Sequence, residues 1–352
     1  MTTGNGTIIG ALAGNALTTG TNNIVVGANA LGNEDTGSKN IAIGTNALEN
    51  LIGGLAGDAL TTGAFNVAMG YAALGTEDTG SRNVAIGHSA LTALNYDGAG
   101  YNIAIGYDAG KAVSTGIRNV IIGGLTGDGI TTGEGNIAIG YHVLRNVTNS
   151  SGNIAIGQLA LSAQTVGGTT YNVAIGHNAG MSMTTGTQNT LIGGQAGDAL
   201  TEGSSNTALG YAALGTEDTS SYAVAIGHNA LATQNAPADT YNVAVGKSAG
   251  YAVTTGANNI LIGGLAGDAL TTGSSNVAIG HEALSTEDTG GDCTAIGYRA
   301  LKNQNANSTF NTAVGKDAGL SLTSATQNVF VGAVAGDAIT TGGNNVAVGC
   351  SA

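Results

Sequence analysis

Apolar and polar positions alternate in this chain for only a few residues at a time, and then the pattern starts again. The unit Asn-Val-Ala-Ile-Gly, with small variations, recurs 21 times in 352 residues, almost always 17 positions apart. It reads clearly at 83–87, 102–106, 119–123 and 345–349. Val84 and Ile86 flank Ala85, a period of two that predicts a short strand. Gly87 then permits a sharp corner, because glycine tolerates positive φ. A second apolar pair follows, Ala90-Leu91 here and Ala213-Leu214 or Ala283-Leu284 elsewhere, and predicts a second short strand. A polar turn such as Thr-Glu-Asp-Thr-Gly (76–80) closes the lap. A period this regular means one supersecondary unit stacked many times. Seventeen residues with two glycines cannot supply a pair of helices, each needing roughly ten residues or more. The expected class is all-β: a parallel β-solenoid of about 21 coils, each strand pairing with its counterpart in the next coil.

The spacing has a second level. Every fourth interval is 19 residues, or 18 near the end, giving a super-repeat of 70 that is plainest in Leu-Ile-Gly-Gly at 191–194 and 261–264. One interval breaks the rule: Gly44 and Gly53 are nine apart, which predicts an irregular join near 44–53. Nothing else changes along the chain, so 1–352 reads as a single repeat domain. At ~4.8 Å per coil the stack would be on the order of 100 Å long.

So thin a roll buries little apolar area per residue. The pattern suggests an interior of Val and Ile facing Ala and Leu, with Ala85 and its equivalents on the outer face. That makes the strand apolar on both sides, and a strand buried on both faces packs against something on each. A second copy is the simplest partner, so a parallel homotrimer is expected, close-packed on the Ala column.

Composition narrows the alternatives. Gly is 61 of 352, but there is one proline, Pro237, and no Gly-X-Y triplet, which excludes collagen. The net charge of −13 with no basic stripe argues against nucleic acid and against an anionic membrane surface. No run of 18 apolar residues exists, so no membrane insertion is expected, and the first residues lack the pattern of a signal peptide. Cys293 and Cys350 lie about three repeats apart, too far for a disulfide.

The chemistry-bearing residues fall into columns. The Asn opening each unit is replaced only by Gly6, Glu49, Ala223 and Cys293, and reads as a structural hydrogen-bond ladder. The position after the unit's Gly is variable: Tyr71, His88, Tyr107, Tyr141, His177, Tyr211, His228, His281 and Tyr298 form a candidate surface-contact column, since aromatics can stack on sugar rings. The acidic pairs Glu34-Asp35, Glu77-Asp78, Glu217-Asp218 and Glu287-Asp288 read as solvated turns. So does the column Asp58, Asp128, Asp198, Asp268 and Asp337. Each pair recurs once per 70 residues, as duplication gives, whereas an active site is normally unique. No catalytic, cofactor-binding or metal-ligating residue is assigned, no cofactor is expected, and the chain is not read as an enzyme.

The repeat, as in Asn-Thr-Ala-Leu-Gly-Tyr-Ala-Ala-Leu-Gly-Thr-Glu-Asp-Thr (206–219), resembles the head repeats of trimeric autotransporter adhesins, and more closely the 17-residue repeats of phage tail-fibre proteins. The resemblance covers essentially the whole chain. It implies a left-handed β-roll that trimerises. The implied role is structural and adhesive: a tail-fibre shaft or receptor-binding rod in a virion, with host cell-surface glycans as partners. The head of a bacterial surface adhesin is the alternative reading, and a polysaccharide-degrading spike a further one.

Overall fold

The computed structural model describes residues 6–15, 17–32, 36–45, 62–77, 79–306 and 310–352. These residues contain no helix. The chain divides into two compact units, Met1–Asn172 and Val173–Ala352, each built from the same coil. In the first, three-residue strands run from Thr7–Ile9 through Val84–Ile86 to Ile154–Ile156. In the second they run from Val173–Ile175 to Val346–Val348. Within each unit every strand pairs in parallel with the next, in register: Val84 opposite Ile103, Ala85 opposite Ala104, Ile86 opposite Ile105. The parallel β-solenoid with a spacing near 17 residues is therefore the observed fold.

The interval around 44–53 lies mostly outside the described residues. On either side of it, Ile41–Ile43 pairs directly with Val67–Met69, in the usual register.

Two features of the coil differ from expectation. The Ala90-Leu91 stretch is a turn, not a second strand. Ser89 (φ 56°) and Leu91 (φ 50°) are left-handed on either side of Ala90, so the chain curls instead of extending. That conformation costs roughly 1 kcal/mol per non-glycine residue, offset here by bonds between coils, since Ser89 N–H donates to Tyr71 O at 2.8 Å and Leu91 N–H to Ala109 O at 3.0 Å.

The second difference is an inversion. The strand's middle residue faces inward and its neighbours face out: Ala85 is fully buried, while Val84 and Ile86 are half-buried on the outer face. The reason is volume. A short lap encloses a narrow interior, and Leu91 and Leu94 from the turn already fill it. Where the inward residue is large, the turn gives way. Leu261 is fully buried, and the positions six residues after Ala244 and after Leu261 are Gly250 and Gly267 where Ala85 has Leu91. A Cβ on either glycine would stand 2.7–2.8 Å from the Leu261 side chain. Ile121 (Gly110, Gly127) and Phe330 (Gly319, Gly336) repeat the exchange. The 70-residue super-repeat is thus a packing rhythm, one large inward residue with two Leu-to-Gly exchanges per four coils.

The Asn column forms the expected ladder. The Asn40 side chain is buried. Its Oδ1 accepts from the Asn66 N–H at 3.0 Å, and its Nδ2 donates to Gly63 O at 3.0 Å. Most ladder Asn residues so tie their own coil's turn to the next coil's strand, and a buried polar group paired this fully costs little.

Candidate functional site

The corner column begins at the glycine that ends each strand. At Gly87 (φ 129°) a Cβ would sit 2.3 Å from Gly106 O, so only glycine lets successive coils approach this closely. The next residue projects from the corner, and its neighbours along the column come from adjacent coils at the strand spacing of ~4.8 Å. Aromatic rings at that spacing stack. In the first unit Tyr71, His88 and Tyr107 form one array, with centroids 5.1 and 5.3 Å apart. In the second unit Tyr211 stacks on His228 at 5.5 Å and His281 on Tyr298 at 5.8 Å.

Tyr141 instead meets His142 edge-on at 4.1 Å. Its ring also lies over Gly124, as that of Tyr211 lies over Gly194. His177 is exposed, like the rest of the column apart from half-buried Tyr71. Within an array the ring faces cover one another. Edges, hydroxyls and imidazole nitrogens are what the corner offers a ligand, and free faces remain only at array ends.

The acidic pairs are not simply solvated. Glu77, Glu217 and Glu287 are buried, whereas Glu34 and Asp35 lie outside the described residues. Glu217 Oε1 accepts from Asp218 N–H (3.0 Å) and Ser220 N–H (2.9 Å), and its Oε2 accepts from Gln234 Nε2 (2.8 Å). Gln234 Oε1 in turn accepts from Asn242 Nδ2 at 2.9 Å. Glu287, Gln304 and Asn311 repeat the chain of bonds. These networks occupy the two coils where the ladder Asn is replaced by Ala223 and Cys293, and Gln234 and Gln304 supply the acceptor that the missing Asn would have offered. The signal was present in the sequence: of the four ladder replacements, Ala223 and Cys293 are each followed by a Gln eleven residues on.

Gln164 shows the logic by exception. Its coil keeps the ladder residue Asn153, and the position matching Glu217 is Val147. Gln164 is fully buried, and neither its Oε1 nor its Nε2 has a hydrogen-bond partner. Leu94 fills the same place one super-repeat earlier. Gln164→Leu should therefore stabilise the protein by about 1–3 kcal/mol, the desolvation cost of an unpaired buried amide. A higher urea midpoint at unchanged m-value is the expected readout.

Burial pushes the carboxyls of Asp128, Asp198 and Asp268 above the usual aspartate range. Among the described residues no group of three or more His, Cys, Asp or Glu is placed to hold a metal ion. Cys293 is buried and Cys350 exposed. No helix among the described residues is long and apolar enough to cross a membrane.

One column escaped the sequence reading. The residue before each ladder Asn is left-handed, and on five consecutive coils of the first unit it is Lys39, Phe65, Arg82, Tyr101 and Arg118, all exposed. In the second, Tyr222 and Tyr241 stack there at 5.2 Å with rings parallel to 1°. These residues share no chemistry, and only the shared φ shows that they emerge from the coil alike. The chain matches no protein-family model, and no curated protein is significantly similar to it in sequence.

Proposed function

We propose that the chain is a structural and adhesive fibre segment without catalytic activity, a left-handed β-roll that works as a homotrimer and serves as the shaft or receptor-binding part of a phage tail fibre. The observation that carries this reading is the outer strand face. In both units it presents two columns of Val, Ile and a few Thr, one residue before and one after each inward position, almost all of them half-buried or exposed among the described residues. Ile24, Ile103, Ile260 and Ile262 are each 37–42% exposed. A continuous apolar strip of this kind on a chain of net charge −13 is an interaction surface. A copy of the same chain matches it coil for coil, because the partner's columns carry the same spacing. The interchain contact thus falls on Val and Ile, and the Ala column belongs to each chain's own interior.

Aromatic and polar corners, repeated coil after coil and again on each chain, give many weak contact points. Weak sites in fixed array gain by multivalency, which suits attachment to a cell-surface glycan. The test is the mass of the full chain in solution by light scattering. Three times the 34.1 kDa chain mass is expected. A single-chain mass at micromolar concentration would contradict the proposal.

A further inference from the structure

The column of Lys39, Phe65, Arg82, Tyr101 and Arg118 alternates cation and aromatic ring on five consecutive coils. All five residues share one backbone conformation, φ between 51° and 63°, so their side chains leave the coil in the same way. Coil-to-coil bonds fix the backbone: Lys39 N–H donates to Thr21 O at 2.9 Å, Arg82 N–H to Ala64 O at 3.1 Å, and Arg118 N–H to Gly100 O at 2.7 Å. The side chains stack into a ridge. Lys39 Nζ lies 4.9 Å from the Phe65 ring centre, and Arg82 sits between two rings, 5.4 Å from Phe65 and 5.5 Å from Tyr101.

The ridge concentrates positive charge on an acidic chain. It holds three of the nine Lys and Arg residues. Among the described residues none of the three pairs with a carboxylate, whereas Lys111, Arg299, Lys302 and Lys316 each do. Among the described residues nearby acidic side chains are few: Asp97 takes a hydrogen bond from Thr79 on the adjoining turn, and Glu134 stands one residue before Gly135, where the column ends. A guanidinium held between two rings keeps its N–H edges free for a carboxylate.

We propose that this ridge binds a linear anionic polysaccharide with one carboxylate on every second sugar. Each coil advances ~4.8 Å, close to the advance of one pyranose along an extended glycan, so cations on alternate coils recur every ~9.6 Å. The exposed edges of the rings between them meet the uncharged sugars. Nucleic acid carries a charge on every nucleotide, and the chain's net charge of −13 opposes so dense a polyanion. This rests on the reading of the chain as a glycan-contacting fibre and names the glycan class.

The test is calorimetric titration of the full chain at low salt with a hyaluronan decasaccharide, in which glucuronate alternates with a neutral sugar, beside neutral chitopentaose and a thymidine decanucleotide. Hyaluronan should bind, more weakly as salt rises, and better than both controls. Arg82→Gln and Phe65→Ala should each weaken it at least about tenfold, while Arg299→Gln leaves it unchanged. No heat at millimolar ligand, equal affinity for chitopentaose, tighter binding of the nucleotide, or wild-type affinity in Arg82→Gln would each overturn the proposal. So would a change of mass in Arg82→Gln, which would make the ridge an interchain contact. A single-chain mass for the wild type with hyaluronan still bound would remove the trimer and leave the ridge.

Discussion

Gly193→Ala is expected to unfold the coils on either side of it, while Gly194→Ala, one residue along, leaves stability within about 0.5 kcal/mol of the wild type. The two glycines do different things. Gly193 holds φ 136°, a region L-residues rarely adopt, and its Cβ would lie 2.4 Å from Gly210 O and 2.6 Å from Gly210 C. Both are backbone atoms of the next coil, so relief requires the coils to part. That opens the bond from Gly210 N–H to Ile192 O, 2.8 Å. Backbone strain of about 1–3 kcal/mol adds to the lost contact, and a total above about 4 kcal/mol follows. Gly194 sits where a Cβ makes only an ordinary 3.5 Å contact with the Tyr211 ring. A stack of coils holds mainly by nearest-neighbour contacts, so amide exchange should rise first in the strands at Val173–Ile175, Thr190–Ile192 and Thr207–Leu209. Equal protection in the two variants would contradict the role given to the corner glycine.

The second large effect concerns the outer face. In the double variant Ile260→Glu, Ile262→Glu the light-scattering mass should fall to one chain, with the far-ultraviolet dichroism of the wild type retained. In the single chain these positions are only half-covered, at 40% and 37% exposure, so two carboxylates there remain hydrated. Between chains they would be desolvated without a partner, and an unpaired buried charge costs several kcal/mol. Leu261 lies between them and is fully buried inside the coil. Leu261→Ala should do the reverse, lowering the melting temperature through a cavity cost of about 2–5 kcal/mol while the mass stays at three chains. The pair separates interchain from intrachain packing within one strand.

The fold was legible because the repeat is local. A strand of three residues, a corner glycine and a ladder Asn recur at fixed spacing, and each can be read from its own type. The inside of the coil was harder to read, because Ala85 and Val84 are both apolar and alternation alone does not say which face is which. Volume decides it: Ala85 pairs with Leu91 and Leu261 with Gly267, a complementarity visible only when positions six residues apart are compared. Glu217 was read as a solvated turn residue because acidic pairs in turns usually are. The Asp218 and Ser220 N–H groups and the Gln234 amide, all donating to it, hold its carboxylate inside. The aromatic corner was found as a column, but the stacking of Tyr71, His88 and Tyr107, which hides the faces proposed for sugar contact, depends on coil spacing and ring tilt. The ridge of Lys39, Phe65, Arg82, Tyr101 and Arg118 was missed because its members share no chemistry, only a backbone angle.

The claim at the centre of this account is that the outward Val and Ile columns of several chains meet. A nitroxide attached to an outer-face cysteine at position 226 (Ile226→Cys in a Cys350→Ser background, where the remaining Cys293 is buried) reads that contact directly. The account predicts an immobilised spectrum broadened by spin–spin coupling between chains, which sharpens when labelled protein is refolded with an excess of unlabelled chain. A narrow, mobile spectrum that dilution leaves unchanged would contradict it.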